Sequence, residues 1–168
     1  MAKDYTNPVY NGGAADPTVI RAQDGAFYAY ATGGVVLKST DLVTWSKQSR
    51  AFTSMPNWIE GGGGALWAPD INYINGQYVM YYAQSKWGEE WKNGIGVAVS
   101  NTPGGPFRDL GCMFTSTEIG VQNSIDPDYV EANGKKYLFW GSFSGIYYVE
   151  LSDDAMSVKT NASPVRIG

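Results

Sequence analysis

The chain has 168 residues, 43% of them hydrophobic and 14% aromatic, enough for one core and one folded unit. Its 12 basic and 16 acidic residues leave a net charge of −4 and form no Lys/Arg cluster that could track a phosphate backbone, which argues against nucleic acid as a partner. No apolar run approaches the roughly 20 residues that cross a bilayer, residues 1–10 hold no apolar signal-peptide core, and Cys112 is the only cysteine, so no membrane partner and no internal disulfide are expected, and the thiol reads as buried and inert.

Residues 1–15 are short of pattern, with 5–15 a candidate closing strand. The first patterned segment starts at Asp16-Pro17-Thr18-Val19-Ile20, turns at Asp24-Gly25 and continues with Phe27, Tyr28 and Tyr30. A second starts at Pro69-Asp70-Ile71-Asn72-Tyr73, turns at Asn75-Gly76 and continues with Tyr78, Val79, Tyr81 and Tyr82. A third starts at Asp126-Pro127-Asp128-Tyr129-Val130, turns at Asn133-Gly134 and continues with Tyr137, Phe139 and Trp140. The leading aspartates at 16, 70 and 126 are 54 and 56 positions apart, a period that marks a repeat architecture.

Each Asp-Gly or Asn-Gly pair lies between β-branched or aromatic runs, a hairpin signal, because these residues tolerate positive φ. Further strands follow in "GVVLKS", "GIGVAVS" and "GIYYVELS", then shorter ones in "LVTWSKQ", "GPFRDLG" and "AMSVKT". Four consecutive antiparallel strands make a propeller blade. The expected fold is therefore all-β: one partial β-propeller domain over 1–168, with blades at about 16–50, 67–111 and 124–160. Closed rings take about four to eight blades. With three visible, the ring is expected to close by self-association or through a missing C-terminal portion.

The first strand of a blade lies innermost, so the three leading aspartates are expected to converge on the mouth of a central funnel. Asp-Pro is also plain turn chemistry, but its recurrence at the blade period favours the cavity. Crowded carboxylates raise one another's pKa and so acquire separate proton roles. A pair of carboxyl groups about 6.5–9.5 Å apart is what inverting glycoside hydrolysis requires. Nearby rings, Trp67, Trp87, Trp91 and Phe143, fit core packing or stacking on a sugar face, with the core explanation weaker for Trp87 and Trp91 in their polar insertion. The glycine run at 61–64 lacks the Lys-Ser/Thr of a phosphate loop and reads as a loop beside the site. Nothing in the pattern calls for a cofactor or a metal.

Taken together, "ADPTVI", "STDLVTW", "LWAPDINYINGQYVMYY", "GIGVAVSNTPGGPF", "NSIDPDYV" and "GSFSGIYYVELS" resemble glycoside hydrolase family 43, and within it the endo-1,5-α-L-arabinanases, over residues 7–154. The resemblance implies a five-bladed propeller acting by inversion on arabinan or arabino-oligosaccharides, with the full enzyme extracellular or periplasmic. It implies Asp16 as general base and Asp126 as the residue that tunes the acid's pKa and orients the sugar. It places Trp67, Asp70, Phe143, Ser124 and Trp87 at the substrate, although Ser144 follows Phe143 where the arabinanases usually have Trp. The family's general acid, a Glu opening the fourth blade, falls beyond Gly168, and Glu60, Glu89, Glu90, Glu118, Glu131 and Glu150 do not replace it. The His that the family's channel metal depends on belongs to a later blade, and this chain has no His. The chain alone is thus expected to be nearly inactive. Three alternatives stay open: a non-catalytic carbohydrate-binding module, a self-associating partial propeller, or, within the enzyme class, a xylosidase or arabinofuranosidase.

Overall fold

A computed structural model describes residues 4–59 and 66–168; Glu60 and the glycine run at 61–64 lie outside them. The described residues form twelve strands in three four-stranded antiparallel sheets, taken in chain order. The first sheet holds β1 (Thr18–Arg21), β2 (Phe27–Ala31), β3 (Val35–Ser39) and β4 (Ser46–Lys47). The second holds β5 (Leu66–Ile74), β6 (Gln77–Gln84), β7 (Gly94–Ser100) and β8 (Arg108–Thr115). One helical turn, α1 (Ser116–Ile119), leads to the third sheet of β9 (Asp128–Ala132), β10 (Lys135–Ser142), β11 (Gly145–Glu150) and β12 (Val165–Arg166). These are propeller-type blades.

Alternation along the strands builds two cores. In β6, Tyr78, Met80 and Tyr82 point into the core shared with Tyr28, Tyr30 and Val36 of the first sheet. Val79 and Tyr81 point the other way, into the core shared with Leu138, Trp140 and Val149 of the third. The middle sheet is therefore buried on both faces, which is why "QYVMYYAQ" and "GIGVAVS" read as continuous apolar runs rather than alternating ones. Ring contacts tighten both cores: Tyr30 meets Phe107 edge-on at 5.8 Å, and Phe114 meets Trp140 at 5.0 Å. Each pair adds on the order of 1 kcal/mol to the area buried.

The hairpin turns follow the expected chemistry in two blades. Asn75-Gly76 and Asn133-Gly134 both take positive φ, at 50° and 84° and at 54° and 72°, as a type I′ turn requires. The first blade differs: only Gly25 is left-handed, at 83°, and Asp24 instead accepts hydrogen bonds from the Ala26 N–H and the Tyr28 hydroxyl, both at 3.0 Å.

Three other expectations are corrected. The fourth strand of the third sheet is Val165–Arg166, paired with Tyr147 and Tyr148; in "AMSVKT" only Val158 bridges, to Leu151, so that blade runs past residue 160. Among the described residues, 5–15 form no strand. Pro8, Val9, Tyr10 and Ala14 instead cover the outer face of the first sheet around a groove of about 590 Å³ with Val19 and Trp45. Cys112 is exposed on β8, not buried.

Candidate active site

Antiparallel register gathers the chemistry at one end. Thr18 pairs with Tyr30, Leu66 with Gln84, and Asp128 with Phe139. The start of each first strand therefore sits beside the end of each second strand. That end holds Asp16, Asp126, the β2–β3 turn with Thr32, the β6–β7 insertion with Trp87, and the β10–β11 turn with Phe143. The Asp-Gly and Asn-Gly turns occupy the opposite end. The first strands are also neighbours across sheets, β1 against β5 and β5 against β9, which makes them the innermost strands.

Asp16 and Asp126 have matching backbones, with φ of 51° and 57°. Left-handed geometry is uncommon for a residue other than glycine, and the proline that follows each would favour extended backbone instead. Strain of this kind is kept where surrounding structure enforces it, and it clusters at functional sites. The matching position in the middle blade is Ala68, with φ of 36° and followed by Pro69, at a bulge between Trp67 and Asp70. Two aspartates, not three, thus open the blades; Asp70 stands two residues further along β5. The shared proline, rather than the aspartate, is the sequence signal that aligns the three copies.

Thr32 ties the first two blades together. Its hydroxyl donates to Asp16 Oδ2 at 2.8 Å and accepts from the Ala68 N–H at 3.0 Å. Nothing in the repeat pattern pointed to it. Asp126 keeps contact with solvent but is desolvated by its surroundings, which raises its carboxyl above the ordinary range, and the charge of Asp16 raises it further. Asp126 lines a recess of about 490 Å³ with Asp128, Val130, Phe139, Trp140, Gly141 and Ile146.

The aromatic residues flank this pair. Trp67, beside Ala68, packs against Trp87 with ring centroids 5.3 Å apart, and Trp87 is 83% exposed. Phe143 is 97% exposed at the β10–β11 turn, two residues from Gly141, whose N–H donates to the Ile125 carbonyl beside Asp126 at 3.0 Å. Ser124 does not belong among the substrate contacts: it is 0% exposed, donates to the Val121 carbonyl at 2.9 Å, and accepts from the Trp140 indole at 3.0 Å. Asp70 differs from the expectation in kind. Its two oxygens accept from Thr18, Asn72 and the Tyr129 N–H, and burial raises its carboxyl.

Among the described glutamates, Glu89 is taken up by Lys86 and Lys92, Glu118 by the capping box at Thr115, Glu131 by the Tyr129 hydroxyl, and Glu150 by Lys135 and Lys159, while Glu90 is exposed in the β6–β7 insertion. The described residues gather no group of three His, Cys, Asp or Glu that could hold a metal ion. These residues alone do not fit a channel metal.

Stacked four-stranded blades that bring Asp16 and Asp126 to one end, with exposed rings beside them, define a propeller with a candidate site at that end. The profile of Glycosyl hydrolases family 43 matches residues 5–166, and the chain belongs to that family. It is 37% identical over 163 residues to the "Probable arabinan endo-1,5-alpha-L-arabinosidase C" of Aspergillus niger, covering 91% of this chain and 51% of that one. It is 36% identical over 154 residues to the "Extracellular endo-alpha-(1->5)-L-arabinanase 1" of Bacillus subtilis, covering 84% and 47%. The solved α-L-arabinanase of Cellvibrio cellulosa complexed with arabinohexaose superposes with a TM-score of 0.81 at 28% identity, over 92% of this chain and 53% of that one. The chain is arabinanase-like, and it spans about half the length of the relatives it matches. No helix among the described residues is long and apolar enough to cross a membrane.

Proposed function

We propose that this chain supplies the base-bearing half of an inverting arabinanase site, acting on α-1,5-linked arabinan in an extracellular or periplasmic enzyme. The observation that carries this reading is the placement of Asp16 and Asp126, with matching left-handed backbones, at the same end of the first and third blades as the exposed rings of Trp87 and Phe143. Asp16, oriented by Thr32, takes a proton from the attacking water. Asp126 orients the sugar and sets the protonation of the general acid. Trp67, Trp87 and Phe143 offer flat faces to the arabinose rings.

The acid itself is a Glu from outside these 168 residues. Without it the leaving oxygen gets no proton, and general acid assistance is commonly worth ~10² to 10⁴ in rate. The test is to incubate the purified chain with linear arabinan while titrating arabinohexaose by calorimetry. Binding with little or no oligosaccharide release is expected, lost on Trp67→Ala and kept in Asp16→Asn. Release at the rate of a full-length arabinanase would contradict the missing-acid reading, and absence of binding would contradict the sugar site.

One observation favours a second reading, self-association. The face of the third sheet turned away from the second carries Val130, Phe139 and Ile146 around the recess, with Phe139 packed on Tyr148 at 5.3 Å, and no further sheet of the described residues covers it. Exposed apolar surface of this kind marks an interface. Light scattering decides: an oligomer supports this reading, and a monodisperse monomer counts against it.

A further inference from the structure

The site reading leaves Asp70 unused, although it lies where all three innermost strands meet. Thr18 of β1 donates its hydroxyl to Asp70 Oδ1 at 3.4 Å, Asn72 of β5 donates its side-chain amide to Oδ2 at 2.7 Å, and the Tyr129 N–H of β9 donates to Oδ2 at 2.8 Å. Thr18 is two residues past Asp16, and Tyr129 is three past Asp126. β1 and β9 are the inner edges of their sheets, so each has one side with no strand partner within its own sheet. An edge N–H withdrawn from water without an acceptor destabilises the fold, and for Tyr129 the acceptor comes from a side chain of another blade.

We propose that Asp70 is a positioning residue: its carboxylate sets the spacing of Asp16 and Asp126 by tying the strands that carry them to the middle blade. This rests on the proposed function for its consequence, but not for its geometry. Asp70 touches neither the reacting water nor, in this reading, the sugar. It acts through Thr18 and Tyr129. Its position in the sequence follows: a carboxylate at the blade-opening position itself, where Ala68 stands, would point into the mouth, whereas two residues further along it reaches both neighbouring strands.

Two substitutions separate this tether from a mere charge. Asp70→Asn and Asp70→Ala both remove the negative charge. In the first, the amide oxygen takes the place of Oδ2 and still accepts from Tyr129 and Asn72, while the new NH₂ takes the place of Oδ1 and can donate to the Thr18 hydroxyl, so the tether persists. In the second it is gone. The readout is the titration of Asp126 followed by carbon-13 NMR of its carboxyl in the 168-residue chain, together with arabinohexaose binding by calorimetry. Asp70→Ala is expected to lower the Asp126 midpoint toward the ordinary range further than Asp70→Asn does, because Asp126 moves away from Asp16 and gains solvent. It is also expected to weaken arabinohexaose about tenfold or more, the scale on which small misplacements act.

Equal midpoints in the two variants overturn the proposal, since a lost charge alone acts alike in both. Should Asp70→Ala fail to fold, Thr18→Val takes its place: it removes one arm with no change of charge, and an Asp126 midpoint unmoved from that of the unmodified chain then overturns the proposal. Because the titration needs no ligand, a chain that binds no arabinohexaose fails the sugar reading while still deciding the role of Asp70.

Discussion

Asp16 and Asp126 open their blades with the same left-handed backbone, and the charge of Asp16 adds to the desolvation that lifts the Asp126 carboxyl. They belong to different sheets, separated in sequence by the whole middle blade, so their shared end of the molecule is a product of blade stacking and not of local chain geometry.

Removing one member should therefore be visible on the other. In Asp16→Asn the Asp126 carboxyl is expected to titrate at lower pH than in the unmodified chain, yet still above the ordinary range, because desolvation is the larger cause and remains. Carbon-13 NMR of the carboxyl reads this directly. An Asp126 midpoint unchanged by the substitution would mean the two groups do not share a cavity.

The same coupling has a stability sign. A carboxyl whose folded-state pKa lies above its unfolded value holds its proton longer when folded, so it favours the fold at low pH and that contribution is lost as pH rises through the folded pKa. Asp126→Asn carries no charge to lose. Its Tm should exceed that of the unmodified chain at neutral pH, and the gain should close as the pH is lowered below the ordinary carboxylate range of about 4. Thermal melts across that interval check it; a deficit at neutral pH would reverse the assigned sign.

Ser124→Ala tests the reassignment of Ser124 from sugar contact to buried support. The substitution leaves the Trp140 indole N–H without its acceptor in the interior, at a cost of about 1–3 kcal/mol. At ~2–4 °C per kcal/mol for a chain of this size, the melting temperature should fall by several degrees. A variant as stable as the parent chain but defective in binding arabinohexaose would restore Ser124 to the site.

Much of this architecture was legible in the sequence because it rests on local chemistry. Asn-Gly pairs fix two of the hairpins, and alternation in "QYVMYYAQ" assigns residues to two cores. The failures share a physical cause. Residue type aligns Asp70 with Asp16, whereas backbone geometry aligns Ala68, since a Pro after a left-handed residue constrains the chain more than the side chain does. Thr32 left no signal because its partners come from two blades. Val165–Arg166 is two residues long and far from its hairpin, so no periodicity announces it. Cys112 is exposed although cysteine is among the most buried residue types, because β8 is the outermost strand of its sheet.

Trp87→Ala separates binding from folding. Its ring lies mostly in solvent and packs only against Trp67 among the aromatic contacts of the described residues, so stability should change by no more than about 0.5 kcal/mol. Affinity for arabinohexaose should fall, since the platform loses one of its two packed rings. Unchanged calorimetric affinity would remove Trp87 from the binding surface and leave it as a loop residue.

Gly141 is the position where backbone geometry leaves least choice. Its φ is 152°, and a Cβ there would lie 2.2 Å from the Gly145 carbonyl oxygen and 2.9 Å from the Ile146 Cα. Both are backbone atoms of the facing strand, so neither can swing aside. Gly141→Ala must push β11 away or break the N–H bond to the Ile125 carbonyl that holds the residue before Asp126. Overpacking of this kind costs about 1–3 kcal/mol, and the displaced Asp126 should gain solvent and titrate closer to the ordinary range. Gly134→Ala is the matched control: its φ is 72° and nothing lies within 4 Å of the added carbon. It should cost only the left-handed strain of about 1–2 kcal/mol, with the Asp126 titration unmoved. If both variants shift Asp126 equally, the close approach at Gly141 is not what positions it.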